Sequence, residues 1–327
     1  SRGAVLLVYA LSTGWFLLGH WLFWRRHIQR FAYLDADIPT QLRELIGANV
    51  DDQTTLGLVH CTPRMLALGK MPPCVGVVLD PRVPADELRS QLLSRLKFNH
   101  VRLYSVESVA ELLSGRKMLS ASRDELWQID GNPAYDVAKR AIDVLAVLLA
   151  LPLWLPLCAL TALLVKLDSP GPALYSQNRV GRDGRSFRLW KLRSMRHQTQ
   201  AQPANFTQQD DDRITRVGRV IRRWRLDELP QLFNVLLGHM SLIGPRPEQT
   251  QLVNDYAARL AAYPYRHLVR PGLTGWAQVQ QGYAADEGAT AVKLSYDLYY
   301  VAHYSMALDL LIVFKTIRVL LGGFGAR

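Results

Sequence analysis

Cysteine is scarce: Cys61, Cys74 and Cys158 are the only three in 327 residues, and they show neither metal-ligand spacing nor an obvious pair. That excludes a disulfide-stapled secreted module and points to a reducing compartment. Charge is thin as well, at 20% of residues against 49% apolar, which excludes a disordered polyelectrolyte. Acidic side chains are the scarcer sign, 28 Asp and Glu against 39 Lys and Arg, for a formal net charge of +11. Such an imbalance calls for an anionic partner: nucleic acid, anionic lipid or a phosphorylated substrate. No Gly-x-Gly-x-x-Gly follows a candidate strand, so no dinucleotide site is read. Internal repeats and low-complexity tracts are missing too, residues 198–209 being the most loop-like stretch. The length suggests about two domains.

What the chain does have is two long apolar runs. Residues 4–24 carry no formal charge and are followed by Arg25, Arg26, His27 and Arg30. The run is about the length a helix needs to span a bilayer, with Trp15, Trp21 and Trp24 as interfacial anchors. A cleaved signal peptide would place its charge before the apolar run, not after it. A transmembrane helix within residues 1–30 is therefore expected, with the chain that follows on the cytoplasmic side. The second run, 142–165, has Lys139 and Arg140 before it, Lys166 after it, and Pro152 and Pro156 inside it. Each proline removes a helix hydrogen bond and crowds the preceding turn. Basic flanks on both sides fit a re-entrant segment over about 139–166 that breaks near the prolines and returns to the side it left. A kinked transmembrane helix is the alternative. Parity favours re-entry, because a full crossing would put the Arg- and Lys-rich remainder outside the cytoplasm.

Between these runs, residues 31–132 read as a cytoplasmic α/β module. Short apolar runs at 57–60, 75–79 and 101–104 are expected as buried strands, and 84–96 and 105–113 as helices, giving a small, roughly parallel sheet with helices on it. A regulatory or dimerising role is the plain reading. Residues 133–327 form the remaining domain.

The dense chemistry lies in that last part. Gln177-Asn178-Arg179-Val180-Gly181 is followed by Lys191-Leu192-Arg193-Ser194-Met195, whose Lys191 and Arg193 suit a strand showing a basic face to a phosphate or headgroup. Arg213, Arg216, Arg219 and Arg222 recur every three residues, with Val217, Val220, Ile221 and Trp224 as an apolar side. This reads as a basic amphipathic helix on an anionic membrane surface; no DNA- or RNA-binding motif accompanies it, so nucleic acid is set aside. Leu226-Asp227-Glu228-Leu229-Pro230 then places two carboxylates at a helix start, ended by Gly238. An adjacent acidic pair is usually a solvated cap. Here its company is Arg-rich, and Gly244-Pro245-Arg246-Pro247 follows, with Arg246 suited to gripping phosphate. A carboxylate can attack phosphorus to form an acyl phosphate, and a second can hold Mg²⁺. Arg270-Pro271-Gly272-Leu273-Thr274-Gly275 is a tight turn that lets backbone approach a ligand closely, with Arg270 and Thr274 as binding candidates, and Asp297 is a further polar candidate. Residues 306–321 form an apolar-rich helix that packs on the core or lies at the interface.

Taken in order, these motifs resemble the bacterial sugar transferases, the monotopic polyprenyl-phosphate phosphoglycosyl transferases. The resemblance runs from Lys139 to about Leu321. It includes Lys139-Arg140-x-x-Asp143, Ser169-Pro170-Gly171-Pro172, the Asp227-Glu228 segment, Gly244-Pro245-Arg246-Pro247 and 270–279. It implies an α/β catalytic domain with a re-entrant helix, preceded by a small Rossmann-like module. The implied reaction moves a sugar 1-phosphate from a UDP-sugar to undecaprenyl phosphate, releases UMP, and starts exopolysaccharide, capsule or O-antigen synthesis at the bacterial inner membrane. Asp227 would be the nucleophile, Glu228 its support, and both would hold Mg²⁺. From their charge and position, Arg246, Lys191, Arg193, Arg179, Arg270, Thr274 and Asp297 are expected to bind substrate. Larger members carry several spans before the module; here one candidate precedes it and the chain opens on Ser1, so a truncated or processed form is expected. Many members have serine before the second proline, where Leu155 stands, and Asn-Gly-Arg where Gln280-Gln281-Gly282 stands; the latter leaves the sugar open. A homodimer is an expected assembly. The competing readings are a catalytically inactive membrane scaffold or regulator, and a hydrolase passing the aspartyl intermediate to water.

Overall fold

A computed structural model describes residues 29–46, 56–62, 64–65, 73–84, 86–119, 132–196, 213–281 and 287–322. The transmembrane helix expected within 1–30 and the loop-like stretch 198–209 lie outside the described residues, apart from Gln29 and Arg30. The described chain divides into two compact units, one ending at Ser114 and the other beginning at Gly115.

The first unit runs β1 (Gln29–Tyr33), α1 (Ile38–Ile46), β2 (Leu56–His60), β3 (Gly76–Leu79), α2 (Glu87–Phe98), β4 (Leu103–Ser105) and α3 (Val106–Ser114). Its four strands pair in parallel in the order β2-β1-β3-β4. Parallel strands are covered on both faces and read as continuous apolar runs; Phe31, Ala32, Val77 and Val78 are fully buried accordingly. The expected strands and helices are present with ends shifted by one to three residues. The addition is β1, whose Arg30 reads in sequence as part of the basic flank of the apolar run. Where the strand order reverses, Asp35 follows β1 and Asp80 follows β3. The molecule's own side chains fill that point, with Arg89 donating to Asp35 at 2.6 and 3.0 Å and Gln41 to Asp80 at 2.8 Å.

The second unit comprises α4 (Pro133–Asp168), β5 (Leu174–Val180), β6 (Ser186–Leu192), α5 (Arg216–Arg223), α6 (Gln231–Leu236), β7 (Ser241–Ile243), α7 (Thr250–Arg259), β8 (Gly272–Thr274), α8 (Trp276–Gln280), α9 (Glu287–His303) and α10 (Met306–Gly322). β5 and β6 form an antiparallel hairpin, and β7 and β8 a short parallel pair. The unit begins earlier than the boundary expected at 132/133. Residues after Ser114 already bind to it: Trp276 donates its indole N–H to Gly115 O at 2.7 Å, and Lys117 N to Ser295 O at 2.9 Å.

α4 continues through both prolines. Pro152 cannot donate to Leu148 O, nor Pro156 to Pro152 O, so two carbonyls lose their usual helical partner. Close by, the buried Trp154 donates its indole N–H to Val147 O at 3.1 Å. Asp143, Val147, Trp154, Cys158, Thr161 and Val165 form a buried stripe, packed with Phe187, Leu189, Ile221 and Val235. The rest of the helix is bare leucine: Leu149, Leu153 and Leu167 are 74%, 77% and 76% exposed. An apolar surface of this extent is unfavourable in water, and the helix is long and apolar enough to cross a membrane. α10 packs on the core along one side and leaves the other bare. Asp309 and Ile312 are buried, while Met306, Leu310, Val313, Phe314 and Ile317 line an exposed side. A buried knot joins the two helices, because Asp309 accepts from Lys139, from Tyr135 Oη at 2.7 Å and from Tyr300 Oη at 2.8 Å.

Candidate active site

The acidic pair sits in a bend made by its neighbours. Thr215 caps α5, its hydroxyl accepting from Gly218 N at 2.9 Å. The expected basic helix is shorter than the arginine spacing suggests: Arg213 precedes it, and Val217 and Ile221 turn to the core. Val220 and Trp224 stay exposed beside Arg216, Arg219 and Arg223. Arg225 then adopts left-handed backbone, φ 55° and ψ 24°, an uncommon state for a residue with a side chain. This reverses the chain into a 3₁₀ turn, Leu226–Glu228, ahead of α6. Asn234 of α6 is buried and locks that helix to β6, donating to Arg188 O at 2.8 Å and accepting from Trp190 N at 3.2 Å.

β6 delivers Lys191. It shares the inward face of Phe187 and Leu189, rather than a solvated basic face, and its ammonium meets Glu228 Oε1 at 3.2 Å. Arg246, from the loop after β7, meets the same oxygen at 2.6 Å, and Arg225 approaches it at 3.7 Å. Glu228 is 6% exposed. Burial alone would raise its pKa, but Arg246, Lys191 and Arg225 together hold it well below the usual carboxylate range. Lys191 is shifted down by burial, against the pull of Glu228. Arg246 is fixed as a cation, chiefly by Glu228.

Asp227 differs in every respect. Among the described residues its half-buried carboxylate makes no hydrogen bond and no ion pair. Burial raises its pKa, the neighbouring Glu228 adds to the shift, and Lys191, Arg246 and Arg222 oppose it. Adjacent carboxylates have thus been given separate states: one saturated with cations, one uncommitted. Three cations, Lys191, Arg225 and Arg246, gather at Glu228, and positive charge so concentrated is receptive to an anion. All three approach Oε1 of Glu228, which leaves Oε2 and the whole of Asp227 as oxygen donors. Among the described residues no group of three His, Cys, Asp or Glu could hold a metal alone. Two carboxylates are nonetheless the ordinary protein share for Mg²⁺ that also binds phosphate oxygens.

The remaining candidates make contacts within the chain. Arg179 lies behind Arg246, donating to Pro247 O at 3.3 Å and pairing with Glu248 at 3.7 Å. Arg193 is buried and caps the end of α4, donating to Pro170 O at 2.9 Å and to Ser169 O at 2.6 Å. Arg270 donates to Gly238 O at 3.3 Å, just past the end of α6. Thr274 shares a hydrogen bond of 2.8 Å with Thr316 of α10, and Asp297 pairs with Arg266 at 2.7 Å. The 270–275 turn does make a close backbone approach, but to the chain itself. A Cβ on Gly272 would lie 2.0 Å from Gly244 N, and one on Gly275 would lie 2.1 Å from Gly244 O. The structure thereby joins two motifs that stand apart in sequence.

A model of the family described as "Bacterial sugar transferase" matches residues 134–323, more than half of the chain and all of the cluster above. The chain belongs to the bacterial sugar transferase family. Among its relatives is a UDP-N-acetylgalactosamine-undecaprenyl-phosphate N-acetylgalactosaminephosphotransferase of Aeromonas hydrophila, 49% identical over 238 residues, 72% of this chain and 56% of that protein. UDP-glucose:undecaprenyl-phosphate glucose-1-phosphate transferases match as well. That of Caulobacter vibrioides is 44% identical over 190 residues, 58% of this chain and 71% of its own length. That of Escherichia coli K12 is 37% identical over 210 residues, 61% of this chain and 45% of its own length. The chain thus spans about half the length of the Aeromonas and Escherichia proteins.

Two participants in this sugar transferase's cluster escape a sequence reading. Arg266 lies in Tyr263-Pro264-Tyr265-Arg266-His267, where aromatic company is the one hint that a charge is buried. Glu248 follows the Pro-Arg-Pro segment as an unremarked acid. Lys293 and, behind it, Arg266 and Arg179 pull its pKa down to about 2 against the effect of burial.

Proposed function

We propose that this sugar transferase moves a sugar 1-phosphate from a UDP-sugar to undecaprenyl phosphate. The observation that carries the reading is Asp227: an uncommitted carboxylate next to a carboxylate neutralised by Lys191, Arg225 and Arg246. A nucleophile must be free to move onto its target, and a diphosphate needs cations where its charge gathers. In the proposed first step Asp227 attacks the sugar-bearing β-phosphorus. The bond from that phosphorus to the bridging oxygen breaks, and UMP leaves with the electron pair. In the second step an oxygen of undecaprenyl phosphate attacks the same phosphorus, the acyl phosphate bond breaks, and Asp227 is restored. Arg246 and Lys191 hold the diphosphate, and Glu228 keeps both cations in place. Asp227 and Oε2 of Glu228 are the residues that would hold Mg²⁺, which when bound neutralises diphosphate charge. The names of the relatives support the reaction class and specify two different sugars.

The direct experiment supplies the purified protein with undecaprenyl phosphate, Mg²⁺ and a panel of UDP-sugars that includes UDP-glucose and UDP-N-acetylgalactosamine, and follows UMP. Release with one or a few donors is expected. Silence with every donor in folded protein would leave the scaffold reading.

The same reading places the catalytic unit on the cytoplasmic face of the inner membrane, with α4 as a re-entrant helix, α10 at its surface, and Arg216, Arg219 and Arg223 on anionic headgroups. The parallel sheet of the first unit serves as the Rossmann-like module. Re-entry predicts that both ends of α4 share one side. In a variant lacking the native cysteines, Ala134→Cys and Ser186→Cys should both resist an impermeant maleimide in intact spheroplasts and react after lysis. Labelling of Ser186→Cys alone from outside would mean a full crossing.

A further inference from the structure

The segment bearing Arg246 has no secondary structure of its own, and prolines at 245 and 247 remove two of its N–H donors. It is held by its carbonyls instead. Pro245 O accepts from Gly272 N at 2.9 Å, Arg246 O from Arg266 Nη2 at 2.9 Å, Pro247 O from Arg179 Nη1 at 3.3 Å, and Glu248 O from Val180 N at 3.0 Å. The bond to the arginine's own carbonyl comes from a buried guanidinium.

The Arg266 and Asp297 side chains are 2% and 3% exposed. A buried guanidinium is costly to maintain and is tolerated only with its donors satisfied. Here the fork is in use from end to end. Nε and Nη2 donate to Asp297 Oδ2 at 3.2 and 2.7 Å, and Nη1 donates to Tyr263 Oη at 3.2 Å. The plane lies over the Tyr263 ring, 5.1 Å from its centroid. An ion pair serving the core alone would be complete at this point. Nη2 goes further and reaches the backbone of the residue whose guanidinium meets Glu228.

We infer that Arg266, anchored by Asp297, is a positioning residue for Arg246, setting where the Arg246 guanidinium meets the diphosphate of the donor. The inference rests on the reaction proposed above. Arg246 projects its charge at the end of a long side chain, so a small tilt of its peptide is magnified at the guanidinium. A misplacement of about 1 Å originating away from the chemistry costs on the order of 10²-fold in rate. Neither Arg266 nor Asp297 need touch substrate for this.

A double-mutant cycle separates positioning from general support of the fold. Arg266→Lys keeps the buried charge opposite Asp297 but cannot reach both Asp297 and the carbonyl. It is expected to lower kcat/KM for the UDP-sugar by about 100-fold in otherwise native protein, and by less than about 3-fold when Arg246→Ala is already present. Asp297→Asn, which preserves shape and unsettles the fork, should show the same coupling, and serves if the lysine variant does not fold. Equal losses in both backgrounds, or native kcat/KM in the single variant, would overturn the inference. The cycle is repeated on affinity for inorganic pyrophosphate, measured by calorimetry, where coupling of the same sign is expected and additive losses would count against it. Absence of UMP from the native protein would end the reaction proposal, and the pyrophosphate cycle would still decide this one.

Discussion

Asp227→Asn should lower UMP release by about 10⁴-fold or more and abolish the covalent sugar-phosphate adduct seen by mass spectrometry, the scale on which removing a nucleophile acts. The fold should not suffer. Asp227 makes no hydrogen bond or ion pair among the described residues, and burial beside Glu228 raises its pKa. A carboxyl whose folded pKa is raised takes its proton more readily in the native state, so its ionisation costs stability as pH rises through that value. Removing the charge should leave the melting temperature at neutral pH unchanged or higher, with activity lost. The acid limb of kcat/KM should likewise lie above the ordinary aspartate value of about 3.9. A variant that still releases UMP within tenfold of the native rate would remove Asp227 as nucleophile.

Glu228→Gln should separate binding from turnover. The substitution removes one negative charge from the group that Lys191, Arg225 and Arg246 surround. Affinity for UDP without metal should rise several-fold, while kcat falls by about 10²- to 10³-fold as Lys191 and Arg246 lose their common anchor. Added Mg²⁺ should narrow the gain in affinity if Oε2 is a ligand, and leave it intact if not; calorimetry with and without EDTA distinguishes the two. Stability should fall, because buried cations left without their partner are costly, on the order of 3–5 kcal/mol. The sign with pH follows from the depressed Glu228 value. Its stabilisation is complete above the unfolded pKa near 4.3 and is lost as pH falls below it, so the variant should approach the native protein in stability toward acid pH.

Much of the fold could be read from residue pattern. The strand runs of the first unit, the long apolar helix with its two prolines, and the Leu226–Gly238 turn and helix all carry local signals of period or punctuation. β1 escaped because two polar residues open it. The unit boundary escaped because Gly115 and Lys117 are tied to Trp276 and Ser295, contacts that exist only across distant parts of the chain. The site shows the same division. Asp227, Glu228, Lys191 and Arg246 stood out by motif, and the structure brings them together. Arg193, Arg270 and Asp297 stood out equally, yet they cap α4, approach the end of α6 and anchor Arg266. Charge and position identify an important arginine; they do not say whether its partner is a ligand or a carbonyl. That distinction is set by burial and by where the fork points, and Arg266 was missed for that reason.

The contact of Gly272 and Gly275 with Gly244 has a consequence for how defects in this protein are to be interpreted. Two stretches of chain touch there with no room for a methyl group, so even alanine at any of the three forces the strands apart. Such variants would look like active-site lesions in a functional screen, although no atom at these positions belongs to the reacting groups. What they alter is a spacing, the hydrogen atom at each Cα serving as the thinnest available shim between the loop that carries the cation and the strand that supports it.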